Sequence, residues 1–415
     1  MKISIPYGKG YEQAELPAGV ETEVIDLPQK TGGLNKRELI AQALANIDFE
    51  KIALSDSLAV VVSDVSRPVP NGEILEQLWS QLEKWGMTRE RLTLFIACGL
   101  HQAPGQEEIK QIVGEYAAQN FKIVVHEAAE RYLQYIGKTS RGTPVKIDAQ
   151  FLQAEVKIAI GLVQPHQIAG FSGGAKSVAI GLGGKETITA NHALLDHPAC
   201  RAGNILNNPA RQEIEEIGRM SGLNFLINVI TDSFKQPVFI NAGCLVESYT
   251  EAVEFAKQFY RAPVQGKKDL VIVSAGGYPK DLNLYQAQKA LNAGVQILKP
   301  DGVVILVAKC EQGAGNRDFM DYLGRFSCPA ELIKTFKHEP FCIGPHKAYL
   351  WAKKVAQNRV ILVSALDSAV TGKLMVECAR SLQEALAKAQ DKLRPGGKVG
   401  IIPHASGILP ELLIS

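Results

Sequence analysis

Short, continuously apolar runs alternate with helix-period segments along almost the whole of this chain. Runs that are hydrophobic at every position are typical of parallel strands with both faces covered by helices. They occur in two series: 58–62, 92–97, 122–125 and 156–163, then 269–274, 302–308, 360–363 and 398–402. The periodic segments predict helices at 72–85, 107–119, 284–298 and 381–392. The pattern therefore predicts an α/β fold with largely parallel sheets.

A polar stretch with proline and glycine, residues 261–268, separates the two series and predicts a domain junction. At 415 residues the chain is long enough for about two or three domains. We therefore expect two α/β domains. The N-terminal domain is predicted at residues 1–262, joined by the C-terminal segment 398–415, and the C-terminal domain at residues 267–397.

Composition argues against several classes of partner. The formal net charge is +2 and no basic run is interleaved with aromatic residues, so nucleic acid is not expected as a partner. The first residues lack the apolar core of a signal peptide, and no apolar stretch reaches the ~20 residues of a membrane helix. We therefore expect a cytoplasmic protein without a membrane partner. The seven cysteines form no C-x-x-C pair, which argues against a zinc knuckle or a disulfide framework.

The segment 164–184 carries the most concentrated chemistry. It holds His166, Lys176 and six glycines directly after an apolar run. Glycines permit positive φ and a close approach of the backbone to a ligand. A lysine in such a loop is either a phosphate clamp or an amine for a covalent partner. The spacing matches neither a P-loop nor G-x-G-x-x-G, and glycine-rich turns also occur in α/β proteins where they bind nothing.

Polar residues also follow other predicted strands at the point where each ends. They are Asp64 and Arg67, His101, and the stretch 275–279. Open α/β sheets bind ligands beyond the carboxyl ends of their strands, so these loops predict one composite active site in the cleft between the two domains. Taken singly, each residue also has a purely structural interpretation: a turn-capping aspartate, a surface arginine or a loop histidine.

The order and spacing of these residues resemble the nickel-pincer-dependent lactate racemase family, which also contains racemases and epimerases of other 2-hydroxy acids. The resemblance runs through the segments 63–70, 99–101, 165–176, 191–192, 276–279 and 285–289. It implies an isomerase acting on a small 2-hydroxy acid. It leaves lactate and larger or dicarboxylic acids open as substrates, because Gln102 stands where many members carry a basic residue. Ala179–Ile180 also departs from the family, where a proline often precedes the glycine.

The resemblance further implies a cofactor and a role for each residue. The cofactor is a nickel-pincer nucleotide, a pyridinium-3,5-bisthiocarboxylate-type mononucleotide tethered to Lys176, with cofactor-biosynthesis proteins as partners. Two sulfurs and a ring carbon of the cofactor, with the His192 imidazole, hold nickel, and these soft donors suit Ni(II). Hydride moves reversibly from the substrate to the pincer carbon while an imidazole takes the hydroxyl proton. The remaining assignments are His101 and His166 as the two bases, Arg67, Tyr285, Gln286 and Lys289 as substrate ligands, and Asp64, Ser172, Gly173 and Gly174 as cofactor contacts.

Two other functions fit part of the pattern. A lysine Schiff-base enzyme would use Lys176 with the glycine loop as its phosphate seat, but it gives His101, His166 and His192 no specific roles. A non-catalytic protein that binds nickel or the mononucleotide would retain its ligand without turnover. His192, expected near the start of a helix, is alone a weak metal signal, since zinc sites usually take three or four protein ligands.

Overall fold

The computed structural model of the chain describes residues 1–27 and 35–413. It divides into two units: unit 1 combines Met1–Leu27 with Tyr260–Ser415, and unit 2 is Pro28–Phe259. None of the helices in the described residues has both the length and the apolar character needed to cross a membrane.

The strands of the described residues are β1 (Lys2–Tyr7), β2 (Gly10–Glu15), β3 (Glu21–Val24), β4 (Leu58–Ser63), β5 (Leu92–Ala97), β6 (Lys122–Val125), β7 (Leu133–Lys138), β8 (Pro144–Asp148), β9 (Val156–Leu162), β10 (Pro165–His166), β11 (Gly170–Phe171), β12 (Phe225–Thr231), β13 (Pro237–Cys244), β14 (Arg261–Val264), β15 (Lys268–Ser274), β16 (Leu298–Val307), β17 (Arg359–Val363), β18 (Glu377–Ala379), β19 (Lys398–Ile402) and β20 (Leu409–Leu412). The α-helices are α1 (Lys36–Leu44), α2 (Phe49–Ala53), α3 (Asn71–Lys84), α4 (Gln106–Val113), α5 (Glu115–Asn120), α6 (Ala149–Gln153), α7 (Lys176–Ala179), α8 (Lys185–His192), α9 (Pro209–Met220), α10 (Leu245–Phe259), α11 (Leu284–Ala287), α12 (Leu291–Gln296), α13 (Arg317–Leu323), α14 (Pro329–His338), α15 (Pro345–Val355), α16 (Ser368–Thr371) and α17 (Leu382–Lys388). Short 3₁₀ helices lie at Arg89–Arg91, Glu130–Tyr132, Ala193–Asp196, Gln288–Ala290, Gln390–Lys392 and Ala405–Gly407.

Unit 2 is built on a six-stranded sheet with the order β13-β12-β9-β4-β5-β6. The pairing of β12 with β13 is antiparallel, and the other four pairings are parallel. The central strand β4 is buried at each of its first five positions, as expected for a strand covered on both faces. Helix α3 places Ile74, Leu78 and Leu82 in the same apolar cluster as Val60 and Val62 of that strand. Burial of each such side chain stabilises the unit by about 2 kcal/mol.

The predicted helix 107–119 is in fact two helices, α4 and α5, and Gly114 explains the break. Its φ of +84° lies in the left-handed region, and a Cβ at this position would lie 2.8 Å from the Cα of Gly72. The two glycines therefore allow the turn to approach the start of α3 closely. The apolar period of the sequence continues across this position and does not reveal the contact.

Unit 1 is built on a second six-stranded sheet, with the order β18-β17-β16-β15-β19-β3 and parallel pairing throughout. The antiparallel hairpin of β1 and β2 contributes Ile3, Ile5 and Ala14 to the apolar cluster that contains Ile272 and Ile305 of the sheet. Strands β14 and β20 form a separate parallel pair. The predicted α/β class with largely parallel sheets is confirmed.

The units differ from the predicted domains at both ends of the chain. Strand β19, predicted to join the N-terminal domain within the segment 398–415, pairs with β15 and β3 in unit 1. Residues 1–27, predicted to open the N-terminal domain, also belong to unit 1. That part of the prediction is wrong because an apolar run fits any buried sheet position, and tertiary packing selects its partners. Here Val399 and Ile401 enter the apolar cluster around Leu270. Residues 414–415 of the predicted segment lie outside the described residues.

The predicted helix 284–298 is also interrupted. Helix α11 ends at Ala287, a 3₁₀ turn follows, and α12 ends at Gln296, two residues before β16 begins. A Cβ at Gly294 in α12 would lie 2.8 Å from Cγ1 of Val273, so the helix lies close against the sheet there. Two of the candidate substrate residues, Gln286 and Lys289, fall on this short interrupted segment rather than on one long helix.

Candidate active site

Three neighbouring strands of unit 2 are followed by chemically active side chains. In the sheet, β4 lies between β9 and β5, and all three are parallel, so that their carboxyl ends share one edge. Asp64 and Arg67 follow β4, His101 follows β5, and the glycine segment with His166 and Lys176 follows β9. This edge is where open α/β sheets bind ligands.

Asp64 and His101 form a hydrogen-bonded pair across two of these loops. Oδ2 of Asp64 lies 2.6 Å from Nδ1 of His101, and Oδ1 accepts bonds from the amide and hydroxyl of Ser66 at 3.1 and 2.5 Å. Burial alone would raise the pKa of the Asp64 carboxyl, but the hydrogen bond and charge of His101, aided by Ser66 and Arg67, lower that pKa to about 2. The carboxylate is therefore ionised near neutral pH and accepts the Nδ1 hydrogen. Nε2 of a neutral His101 is then the nitrogen that can take up a proton.

The resemblance assigns Asp64 to the cofactor, and the sequence does not predict the contact of Asp64 with His101. The two residues are 37 positions apart in the chain. The signal that could have found the pair is topological, because β4 and β5 are consecutive parallel strands and residues just beyond their ends can meet.

Arg67 lies in the same turn as Asp64. Its amide donates to the Asp64 carbonyl at 3.1 Å, and its Nη1 donates to the Ser66 carbonyl at 3.4 Å. The side chain is half-buried, and burial lowers the pKa of its guanidinium while the charge of Asp64 opposes that shift. A guanidinium stays protonated in proteins, so Arg67 supplies a lasting positive charge in the turn after β4.

The loop that carries His101 is attached to the end of the glycine segment. The Gly99 amide donates to the carbonyl of Gly181 at 2.9 Å, and the His101 amide donates to that of Cys98 at 2.9 Å. Gly99 has a φ of +56°, and a Cβ there would lie 2.8 Å from the carbonyl oxygen of Ile180. Only glycine therefore allows the two loops to contact each other in this way.

His166 is held in a different tautomer from His101. It lies on β10, which forms a short antiparallel hairpin with β11. Its Nδ1 accepts hydrogen bonds from the amides of Ile168 and Ala169 at 3.3 and 3.1 Å. A neutral imidazole that accepts at Nδ1 carries its hydrogen on Nε2. At Nε2, neutral His101 is therefore a proton acceptor and neutral His166 a hydrogen-bond donor.

Ser172 hydrogen-bonds to the backbone at the start of the glycine segment. The Ser172 hydroxyl donates to the Leu162 carbonyl at 2.5 Å and accepts from the Gln164 amide at 3.1 Å, and the Ser172 amide donates to the Gln164 carbonyl at 2.8 Å. Gly173 and Gly174 follow with φ values of +73° and +59°. Ser172, predicted as a cofactor contact, therefore uses its hydroxyl and amide to hold the loop at the end of β9.

Lys176 begins helix α7 directly after this turn. Its amide donates to the Gly173 carbonyl at 3.3 Å, and its side chain is half-buried. A Cβ at Gly161 would lie 3.1 Å from the Cα of Gly173 and 3.2 Å from Oγ of Ser177, so the turn lies directly against β9. Close packing fixes the backbone of the residue whose amine is the candidate attachment point.

His192 is the last residue of α8, so the expectation of a place near the start of a helix is wrong. Its Nδ1 lies 3.0 Å from the Ile188 carbonyl oxygen, one turn earlier in the helix. A hydrogen on Nδ1 that bonds this carbonyl leaves the metal-binding lone pair on Nε2, as in many metal-ligating histidines. In residues 1–27 and 35–413, no group of three or more His, Cys, Asp or Glu side chains could hold a metal ion. A metal on His192 would therefore need ligands from a bound molecule.

In unit 1, the predicted substrate residues lie on one short segment. Asn283 caps α11 by accepting a hydrogen bond from the Gln286 amide at 3.1 Å, and Nζ of Lys289 donates to Oε1 of Gln286 at 2.5 Å. Tyr285 packs edge-on against Phe319 with ring centroids 5.8 Å apart, and burial raises the pKa of its hydroxyl to about 12. Gln286 and Lys289 thus form a polar pair, and Tyr285 is a packed, neutral phenol.

Known proteins resemble this chain along nearly its whole length. The model of the lactate racemase N-terminal domain matches residues 7–203, and that of the lactate racemase C-terminal domain matches residues 264–409. The chain is 28% identical to the lactate racemase of Thermoanaerobacterium thermosaccharolyticum over 425 residues, which cover 98% of both chains. It is 29% identical to the lactate racemase of Lactiplantibacillus plantarum over 388 residues, which cover 91% of both.

Solved structures resemble it as well. The lactate racemase apoprotein from Thermoanaerobacterium thermosaccharolyticum superposes with a TM-score of 0.92 at 26% identity, covering 99% of this chain and 100% of the other. A protein from Thermotoga maritima superposes with a TM-score of 0.72 at 17% identity, covering 93% of this chain and 100% of the other. The second likeness concerns the fold alone.

Proposed function

The chain belongs to the lactate racemase family of isomerases, and from this premise we propose that it interconverts the two enantiomers of lactate or a related 2-hydroxy acid. The observation that carries the proposal is the set of neighbouring strand ends in unit 2, which present the Asp64–His101 pair, His166 and the Lys176 loop. Racemisation requires that the hydrogen on C2 leave and return on the other face. That hydrogen is weakly acidic, so its removal as hydride avoids a carbanion.

The residues fit the nickel-pincer nucleotide that the resemblance implies. Lys176 follows a tight glycine turn and offers an amine for the thioamide link. His192, with Nδ1 engaged by the Ile188 carbonyl, offers one imidazole nitrogen to nickel. Sulfur donors of the cofactor and one imidazole together suit Ni(II). When bound, the cofactor supplies an acceptor for the C2 hydride.

Acid–base chemistry is assigned to the two loop histidines. His101 takes the hydroxyl proton of one enantiomer at Nε2, and the ionised Asp64 stabilises the imidazolium that results. His166 serves the other enantiomer. To accept a proton at Nε2, His166 must first place its hydrogen on Nδ1 and give up the bonds from Ile168 and Ala169. At about 1 kcal/mol for each bond, we expect this change to slow proton uptake at His166.

Arg67, Gln286, Lys289 and Tyr285 are proposed as substrate ligands, as the resemblance implies. Arg67 offers a planar fork that can bond both carboxylate oxygens. Because Oε1 of Gln286 accepts from Lys289, its amide nitrogen is the group that would donate to the substrate. Lys289 adds a second positive charge.

The test uses protein co-expressed with the proteins that make the cofactor, which we propose as partners. We expect a mass adduct on Lys176, stoichiometric nickel, and exchange of the C2 hydrogen of lactate or another 2-hydroxy acid. Lys176→Ala and Lys176→Arg should both lack the adduct and turnover, since a guanidinium does not replace the attaching amine. An adduct mass retained by either variant would show that Lys176 is the wrong residue.

Other outcomes would identify the alternative functions. Borohydride trapping of a keto acid on Lys176 in nickel-free protein would indicate a Schiff-base enzyme. Stoichiometric nickel and adduct without exchange on any 2-hydroxy acid would indicate a binding protein. Either result would overturn the proposed racemase.

A further inference from the structure

Helix α9 contacts both segments that would anchor the cofactor. Its first turn carries Arg211, which reaches the loop before Lys176, and its backbone accepts a hydrogen bond from Asn191, the residue before His192. Resting on the proposed function, we propose that α9 is a brace that sets the Lys176 loop and His192 at a fixed separation. Arg211 and Asn191 are then positioning residues for the two anchors.

Arg211 connects α9 to the glycine loop from a buried position, with an exposed fraction of 3%. Its Nη1 donates to the Gly173 carbonyl at 3.2 Å and lies 3.4 Å from the Phe171 carbonyl oxygen. Its Nε donates to Glu215 at 2.7 Å, so the buried positive charge has a carboxylate partner. The guanidinium carbon lies 3.8 Å from the ring centroid of Tyr249, a close cation–π contact. Four groups thus fix one guanidinium plane against the loop.

Tyr249 of α10 completes the support of the loop. Its hydroxyl donates to the Ser172 carbonyl at 3.2 Å. A Cβ at Gly174 would lie 2.6 Å from both Nη2 of Arg211 and Cδ2 of Tyr249, so these two side chains fill the space that a side chain at 174 would need. The loop carbonyl that Arg211 holds also accepts the amide of Lys176 at 3.3 Å. A single oxygen atom therefore links the brace to the start of α7.

The second contact of α9 reaches the helix that ends at His192. Asn191 has an exposed fraction of 2%, and its Nδ2 donates to the Ala210 carbonyl at 2.9 Å and lies 3.4 Å from Oε2 of Glu213. Ala210 and Arg211 are consecutive, so a movement of this turn displaces both contacts together. A cofactor held covalently at one anchor and through a metal at the other requires a fixed spacing, and an error of about 1 Å can lower a rate roughly 100-fold.

The experiment separates the two contacts in protein co-expressed with the cofactor-making proteins. Arg211→Lys keeps a charge for Glu215 but loses the planar fork, so we expect a smaller fraction of Lys176 adduct and a roughly 100-fold lower kcat per adduct. Asn191→Ala should keep the adduct and retain less nickel per adduct. Arg219→Lys, an exposed position on the same helix, is the matched control and should change neither quantity.

A purely structural role for α9 gives a different result. The melting temperatures of both variants would then fall, and the adduct fraction and nickel content would fall in parallel, which overturns the proposal. Wild-type adduct and nickel content in both variants would overturn it as well. If Arg211→Lys does not fold, Tyr249→Phe removes only the hydroxyl contact with the loop and should still reduce the adduct fraction. Wild-type protein without adduct or nickel overturns the proposed function itself, whereas a loaded wild type with unaffected variants overturns the brace alone.

Discussion

The charge of a single carboxylate, Asp64, decides how His101 can act. Asparagine keeps the shape of this side chain but replaces an acceptor-only oxygen with a group that can donate. We expect Asp64→Asn to lower kcat roughly 100-fold or more at unchanged nickel content, which is the range attributed to a general base. Ser66→Ala, which removes one neighbour of the carboxylate, is the control and should retain most activity. Wild-type kinetics of Asp64→Asn would show that His101 acts independently of the pair.

The same carboxylate sets a dependence of stability on pH. The pKa of Asp64 falls from 3.8 to about 2 on folding, so the unfolded chain binds this proton more readily. The pair therefore contributes stability that is fully present above about pH 4 and is lost as the pH falls through about 2, at most about 2 kcal/mol. Urea unfolding of the wild type and Asp64→Asn should give free energies that differ most at neutral pH and converge in acid. A difference that stays constant would contradict the depressed pKa.

The roles of His101 and His166 should be distinguishable when the two half-reactions are measured separately. Substitution of either by alanine should abolish full interconversion, because each enantiomer needs its own base. In a single turnover with stoichiometric enzyme, each variant should still convert one enantiomer to the keto acid and lose ~100- to 10,000-fold in rate on the other. The wild type should show the slower half-reaction with the enantiomer that depends on His166, whose amide bonds must break first. Loss of the half-reaction with the same enantiomer in both variants would refute the two-base mechanism.

At the scale of single residues, the sequence predicts positions along the chain but not contacts between distant residues. The sequence predicts that the motifs carrying Asp64, His101 and Lys176 follow strands because each motif comes directly after an apolar run, and the structure has β4, β5 and β9 before them. It does not predict the contact between Asp64 and His101, which depends on the neighbouring positions of two strands. Arg211 resembles any surface arginine of an amphipathic helix, and its burial becomes apparent only once α9 packs on the glycine loop.

Among the structural elements, the turn between β11 and α7 depends on glycine at position 173. Its φ is +73°, and a Cβ would lie 2.6 Å from Cγ2 of Val163. Left-handed strain of about 1 kcal/mol and a clash of about 1–3 kcal/mol predict that Gly173→Ala lowers the free energy of unfolding by about 2–4 kcal/mol. The adduct on Lys176 should fall as well. Gly105→Ala, with φ of −75° and no atom within 4 Å of its Cβ, is the control in the same unit. Equal shifts in melting temperature for both variants would contradict the argument.

Strands are predicted more accurately than helices for a physical reason. A short run that is apolar at every position must be buried on both faces, which favours a strand in a covered parallel sheet. The predicted run 92–97 matches β5 residue for residue. Helix ends depend instead on close contacts, such as that between Gly114 and Gly72, which separates α4 from α5. The sequence likewise predicts a single helix across Gln286 and Lys289, because the apolar period continues through the point where the structure interrupts it.

Considered as a whole molecule, the chain completes unit 1 with strands from its two ends. Strand β3 pairs with β19, and the hairpin of β1 and β2 contributes to the apolar cluster of the same sheet. Ile3, Ile5, Leu16 and Ile25 are buried, with exposed fractions of 6, 1, 1 and 2%. No local pattern encodes a pairing between strands separated by nearly the whole chain, which is why the predicted domain boundaries are wrong at both ends.

Unit 1 should consequently depend on residues 1–27. At about 2 kcal/mol for each buried side chain, these four residues contribute about 8 kcal/mol, comparable with the roughly 5–15 kcal/mol that stabilises a typical protein. Deletion of 1–27 should therefore abolish protection from hydrogen exchange in β15 and β19, while β4 and β9 of unit 2, which has its own apolar cluster, keep theirs. A peptide of residues 1–27 added in trans should restore protection, and Tyr11→Ala, at a side chain that is 68% exposed, is the control that should change little. Full protection of β19 in the deletion variant would mean that unit 1 folds without the N-terminal strands, because β19 would then keep its place in the sheet without β3 at its edge.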